Sequence, residues 1–270
     1  MVSSARIFYM AVWRNWLSLM RYKLNFIFEL LTSALFGFGM LLMSLAFDAG
    51  MLERTLGTTN YASFMIIGIA YQAWQNVALW GAAGMFRDEL SSGQIDYTFS
   101  CPFSRYGYII SNIAALAVQS TTFFVPMFCV GLWFTRSTIT LGGLLLGLLA
   151  TVLSVGGLAQ MGACFAALVL RHRQITAVFG FFNFAFQMVT GMFVPLQVLP
   201  AVLRWFGIVA IPQSFGMDLL RHYVMGTNTL MPVWAEWAVL AAQLVGYGIL
   251  ARLVVRWLEH SAREEGLHYI

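Results

Sequence analysis

Residues 141–170 read LGGLLLGLLATVLSVGGLAQMGACFAALVL, thirty positions without one Asp, Glu, Lys or Arg. As a helix rising 1.5 Å per residue, such a run is about 45 Å long, enough to cross a hydrocarbon core of about 30 Å with room to tilt. Membrane barrel strands are about ten residues long and alternate apolar with polar positions, and this stretch does not alternate. The rest of the chain is of the same kind. It is 60% hydrophobic and 10% charged over 270 residues, whereas soluble domains carry about a quarter charged residues. A soluble domain of this size has no interior large enough for that apolar surface. The expected fold class is therefore an all-α integral membrane protein, organised as a single transmembrane domain over residues 1–270.

Working outward from that stretch, six apolar spans are expected: Asn25–Phe47, Tyr61–Phe86, Tyr108–Phe134, Leu141–Leu170, Gln174–Val194 and Val233–Val255. An even number puts both termini on one side. With the termini in the cytoplasm, Arg6, Arg14, Arg21, Lys23, Arg87, Arg105, Arg171, Arg173, Arg252, Arg256 and Arg263 are inside, and Arg54, Arg136, Arg204 and Arg221 are outside. Eleven against four is the positive-inside pattern, which fixes the expected orientation as multi-pass in a cell (plasma or inner) membrane. The net charge of +4 reflects these flanking arginines rather than nucleic-acid binding. The N-terminus lacks an apolar core followed by a small-residue cleavage site, so the first span is expected to remain as an anchor.

Within residues 1–24, Ser4–Tyr22 carries Ile7, Met10, Trp13, Leu17 and Met20 at helical spacing, with Arg14, Ser18 and Arg21 on another face. This is the pattern of a helix lying along the membrane surface. Six glycines in and around the fourth span, Gly142, Gly143, Gly147, Gly156, Gly157 and Gly162, are expected to admit close helix neighbours. Residues 195–232 are long yet apolar, broken by Pro195, Pro200 and Pro212 into pieces too short to cross. They read as an outer re-entrant hairpin of two short helices, Ala201–Ile211 and Ser214–Met225.

Several chemistries are excluded. A P-loop needs a lysine directly after a glycine, and the one lysine, Lys23, follows Tyr22. There is no H-E-x-x-H and no G-x-S-x-G, and no metal site or catalytic residue is expected. Cys101, Cys129 and Cys164 lack paired or ligand spacing and read as packed small residues. Glu29 and Glu236 lie near span ends, where a carboxylate reaches the interface. A gradient-driven carrier more often keeps a carboxylate at mid-membrane. Neutral amides are better placed. Gln72, Gln75 and Asn76 in the second span, and Asn183 and Gln187 beside Phe186 in the fifth, either bond between helices or line a translocation path.

Residues 89–105 read ELSSGQIDYTFSCPFSR, a polar elbow between two apolar spans within residues 87–107. This resembles the cytoplasmic elbow of type 2 permeases of ATP-binding-cassette exporters. Glu89, Gly93, Asp96, Pro102, Ser104 and Arg105 match its pattern, with Asp96 and Gln94 departing from the commoner glutamate and threonine. A second segment, GMFVPLQVLP at 191–200 followed by IPQSFGMDLLR at 211–221, is similar to the family's region after the fifth span. Gly191, Pro195, Pro200, Pro212, Asp218 and Arg221 fall in register there. The resemblance implies a permease subunit without its own nucleotide site and with no cofactor bound by this chain. ATP and Mg would sit on a separate ABC ATPase present in two copies, and a second permease subunit, identical or different, would complete the path. The elbow would be the coupling helix, the 195–232 hairpin the outer gate, and spans two and five the path walls. The competing expectations are an ion-gradient carrier and a non-transporting membrane assembly or sensory protein of the same fold. No residue selects the cargo.

Overall fold

The computed structural model describes residues 4–44, 49–58, 60–101, 104–135, 140–171 and 176–265. Apart from one short 3-10 turn, every regular element among them is an α-helix: α1 Ser4–Arg21, α2 Lys23–Ser44, α3 Ala49–Leu56, α4 Tyr61–Ser91, α5 Ile95–Ser100, α6 Arg105–Thr135, α7 Leu141–Arg171, α8 Thr176–Val189, α9 Ala201–Ala210, α10 Pro212–Met225 and α11 Val233–Glu265.

Four helices contain runs long and apolar enough to cross a membrane: Phe26–Ser44 in α2, Arg105–Trp133 in α6, Leu141–Ala167 in α7 and Val233–Trp257 in α11. Two of the six expected spans fall outside this set, for different reasons. The helix α4 has the same 31-residue length as α6 and α7, but Gln72, Gln75 and Asn76 crowd three amides into five positions and depress its hydropathy. The helix α8 has 14 residues, about 21 Å of helix, which is short of the hydrocarbon thickness. Its expected start at Gln174 lies outside the described residues. The short α3 was not anticipated.

The centre of the molecule is α4 against α6 and α7, with α10 and α11 also packed on α7 and α10 reaching α4. The core they share is aromatic and aliphatic: Phe64, Tyr71, Phe86, Ile109, Ile113, Phe124 and Phe186 are fully buried. Trp74 stacks on Phe124 with ring centroids 3.8 Å apart. The glycines of α7 decide how close its neighbours come. A Cβ at Gly162 would stand 1.9 Å from the Ala78 carbonyl oxygen of α4, and one at Gly143 2.9 Å from the Tyr223 carbonyl oxygen of α10. Gly147 and Gly157 meet Leu220 and Pro212 of α10 in the same way, while Gly142 faces open space.

In α1, the face that packs on α6 is Ala11 and Asn15, flanked by Ile7. Met10, Trp13, Leu17 and Met20 stay exposed. The apolar stripe seen in the sequence is therefore not the protein-facing one. Small and polar side chains make the helix contact, and the bulky ones are left for another apolar medium. In α2, Gly37 and Ser44 are the buried positions among those whose side chains are described.

Candidate functional site

The elbow begins where α4 ends, and Gly93 is what ends it. Gly93 has φ +70°, the left-handed region that costs a residue with a Cβ about 1–2 kcal/mol. The Gln94 amide donates to Glu89 O at 2.9 Å and the Gly93 amide to Leu90 O at 3.3 Å. Together these form the paired 6→1 and 5→2 bonds of a Schellman termination. The chain then enters α5, whose Tyr97 is 80% exposed, and turns into α6. Ser104 caps α6: its Oγ accepts from the Gly107 amide at 3.2 Å. Arg105 is the first residue of α6 and is half-buried. Asp96 lies in α5, with a side chain outside the described set, and Pro102 lies outside the described residues.

Glu89 does not face outward with the rest of the elbow. It is 9% exposed and accepts from the Tyr108 hydroxyl of α6 at 2.6 Å. Arg14 of α1 reaches the same tyrosine hydroxyl and donates to Asn112 Oδ1 at 2.9 Å. The Asn112 amide in turn donates to Tyr108 O at 3.0 Å. The end of α4, the first turns of α6 and the middle of α1 are thereby pinned at one point. Tyr108, Asn112 and Arg14 were not singled out as site residues from sequence. The i, i+4 spacing of Tyr108 and Asn112 was visible there, but nothing local joins Arg14 to a residue 98 positions away.

The amides expected along a path do not share one surface. Gln72 is half-buried and Asn76 exposed, and both line a cleft shared with α2 and α6. Gln75 turns the other way, fully buried, with neither amide atom hydrogen-bonded. On α8, Phe186 is buried in the core against Phe165 and Phe182. Asn183 and Gln187 are half-buried and do not line the α2 cleft.

The segment after α8 is organised around Arg221, which is 4% exposed. Its guanidinium donates to Gly191 O at 2.7 Å, Phe64 O at 2.8 Å and Met192 O at 3.0 Å, and lies 3.5 Å from the Phe64 ring centroid. A planar fork of donors serves the two carbonyls of the turn after α8 and adds a second donor to the Phe64 carbonyl in the first turn of α4, a task an ammonium ion does less well. Gly191 makes that turn with φ +78°. Pro195 precedes the 3-10 turn Leu196–Val198, and Pro200 precedes α9. Pro212 opens α10, where its missing N–H costs nothing. Asp218 accepts from the Leu230 amide at 2.9 Å and Glu236 from the Met231 amide at 3.0 Å, which makes the two carboxyls neighbours. Glu236 is fully buried. The expectation that it reaches an interface is corrected: Glu236 is enclosed by the protein and held by the Met231 amide.

A family model described as ABC-2 family transporter protein matches residues 47–253. The chain belongs to this family. The match takes in both segments on which the sequence resemblance rested, from α3 into α11, and supports a membrane transport permease. Among curated proteins none matches the chain. Membrane domains of the ABC-2 family generally partner with ABC ATPases.

In this ABC-2 family member two clefts lie beside α2, on different faces of that helix. One, of 310 Å³, is bordered by Thr32, Phe36, Gln72 and Asn76. The other, of 240 Å³, is bordered by Leu30, Ala34, Phe38, Ile66 and Pro126. Phe123 and Met127 of α6 border both.

Proposed function

We propose that this chain is the membrane-spanning permease subunit of an ATP-driven exporter, with ATP hydrolysis on a separate ABC ATPase. The observation that carries the reading is the elbow within a family-matched chain. A short helix with an exposed Tyr97 lies in the chain between two 31-residue helices, the first ended by a left-handed glycine and the second opened by a serine cap. Force applied to α5 passes into α4 through the Gly93 turn, and the Glu89–Tyr108–Arg14 contact joins the end of α4 to α6 and α1. The elbow faces the cytoplasm, the termini lie on that side, and two permease subunits enclose the path. The α9–α10 hairpin, fastened by Arg221, serves as the outer gate.

Co-expression with an ABC ATPase tests this. The expected result is a complex that survives purification and hydrolyses ATP faster than the ATPase alone, with Asp96→Lys in the elbow lowering the stimulation while membrane insertion is kept. An ATPase that neither binds nor responds would end the reading. Among the described residues, the buried Asp218–Glu236 pair is the feature that favours a gradient-driven carrier instead. Transport into ATP-free vesicles driven only by an imposed ion gradient would establish that alternative.

A further inference from the structure

The clefts beside α2 differ in chemistry as sharply as they differ in position. Gln72 and Asn76 make no hydrogen bond within the described residues, and Thr32 satisfies its own proton by donating to Phe28 O at 2.8 Å. Two free amides on a helix that packs in an otherwise apolar bundle need a polar partner, because lipid tails offer none. The second cleft is lined by aliphatic and aromatic groups, Pro126 among them. Among the described side chains neither cleft is bordered by a charged one. An ionic headgroup there would be desolvated with no counter-charge among them, which is strongly unfavourable. The two clefts meet at Phe123 and Met127, and α2 makes only slight contact with the bundle, so a molecule entering from the bilayer reaches both by passing α2.

We propose that these clefts together form a lateral binding site for a neutral-headed, single-tailed amphiphile. The hydroxyl or amide head bonds to Gln72 and Asn76, and the tail lies in the Ala34–Pro126 cleft. One tail is specified because 240 Å³ holds about eight water-sized groups at about 30 Å³ each, which is a single partial chain and not two. The 310 Å³ of the polar cleft is at the lower end of small-molecule sites, about 300–1,000 Å³. The assignment rests on the permease reading and names its substrate class.

The test uses the full chain in lipid nanodiscs and a monoacylglycerol carrying a diazirine on its acyl chain. After photolysis, label is expected on peptides of α2, α4 and α6 around Phe123 and Met127. Excess unlabelled monoacylglycerol should compete, whereas a fatty-acid anion and an alkyltrimethylammonium of equal chain length should not. The double variant Gln72→Leu/Asn76→Leu should cut labelling about tenfold. Ala34→Phe, which fills the apolar cleft from an exposed position, should abolish labelling by a long-chain probe and spare that by a six-carbon one. Label spread evenly over exposed apolar helices such as α9 and α11 would overturn the proposal. So would equal competition by all three heads, indifference to both variants, or exclusion of the probe by a second copy's helix seated in the clefts. ATPase co-purification with the wild-type chain is followed in parallel. If it holds while labelling fails, the amphiphile assignment falls and the permease reading stands; the reverse pattern separates them the other way.

Discussion

Arg221 joins three stretches of backbone that are far apart in the chain: Phe64 in α4, the Gly191–Met192 turn and its own helix α10. Removing it takes the donor from the Gly191 and Met192 carbonyls and leaves Asp218 without its nearby cation. Breaking a buried charged cluster from one side typically costs about 3–5 kcal/mol. Arg221→Ala is therefore expected to lower the thermal unfolding midpoint in detergent sharply, and Arg221→Lys to recover only a small part, since a single ammonium does not fork to three acceptors. Recovery to wild type by lysine would mean that charge alone matters there. At the other end of α4, Tyr108→Phe strips from the Glu89 carboxylate the hydroxyl that donates to it among the described residues. Leaving a buried acceptor unpaired costs about 1–3 kcal/mol, more where it is charged. Glu89→Gln keeps an oxygen that accepts from Tyr108 and should be the milder change. Thermal midpoints of the two variants, measured side by side, check the order.

The helices α4 and α7 depend on a close approach that only glycine permits. With the Ala78 carbonyl oxygen 1.9 Å from the Cβ position of Gly162, even Gly162→Ala must push the helices apart, and a loss of folded protein on size-exclusion chromatography is expected. Gly142→Ala is the matched control: it meets open space and gains helix propensity of up to about 1 kcal/mol, so its midpoint should not fall. At the elbow, Gly93 also has open space around its Cβ position, so substitution there costs backbone strain alone. Gly93→Val should impair ATPase stimulation more than overall folding, and Gly93→Asn should be better tolerated, because asparagine enters the left-handed region more readily. Equal behaviour of valine and asparagine in the stimulation assay would dismiss the rigid-turn account.

Across the whole molecule, apolar surface that the chain does not cover is the dominant feature. Phe28, Leu31, Leu35 and Phe38 on α2, Val202 and Trp205 on α9, and Trp234 and Leu253 on α11 are all exposed. Lipid covers most such surface in a membrane protein, and a second permease subunit is expected to cover part of it. Single cysteines placed along α2, α9 and α11 in a background without Cys101, Cys129 and Cys164 should crosslink between copies on one of these helices and not on all. Crosslinks nowhere would argue for a permease that pairs with a different chain.

Composition and the uncharged run at 141–170 were enough to determine the membrane class and the all-helical fold, because the bilayer leaves so few ways to satisfy a backbone. The elbow and the segments at 191–200 and 211–221 were legible too, because turn chemistry is local: a glycine at positive φ, a serine cap and prolines ahead of helix starts are written in neighbouring residues. Tertiary structure decided everything that depended on which way a side chain turns. It turned Glu89 inward to Tyr108, drew Arg14 to Asn112, sent Gln72 and Asn76 to one side of α4 and Gln75 to the other, and buried Glu236 against Asp218. Sequence spacing gives the face of a helix but not what stands opposite that face, and burial and hydrogen bonding are properties of the pair.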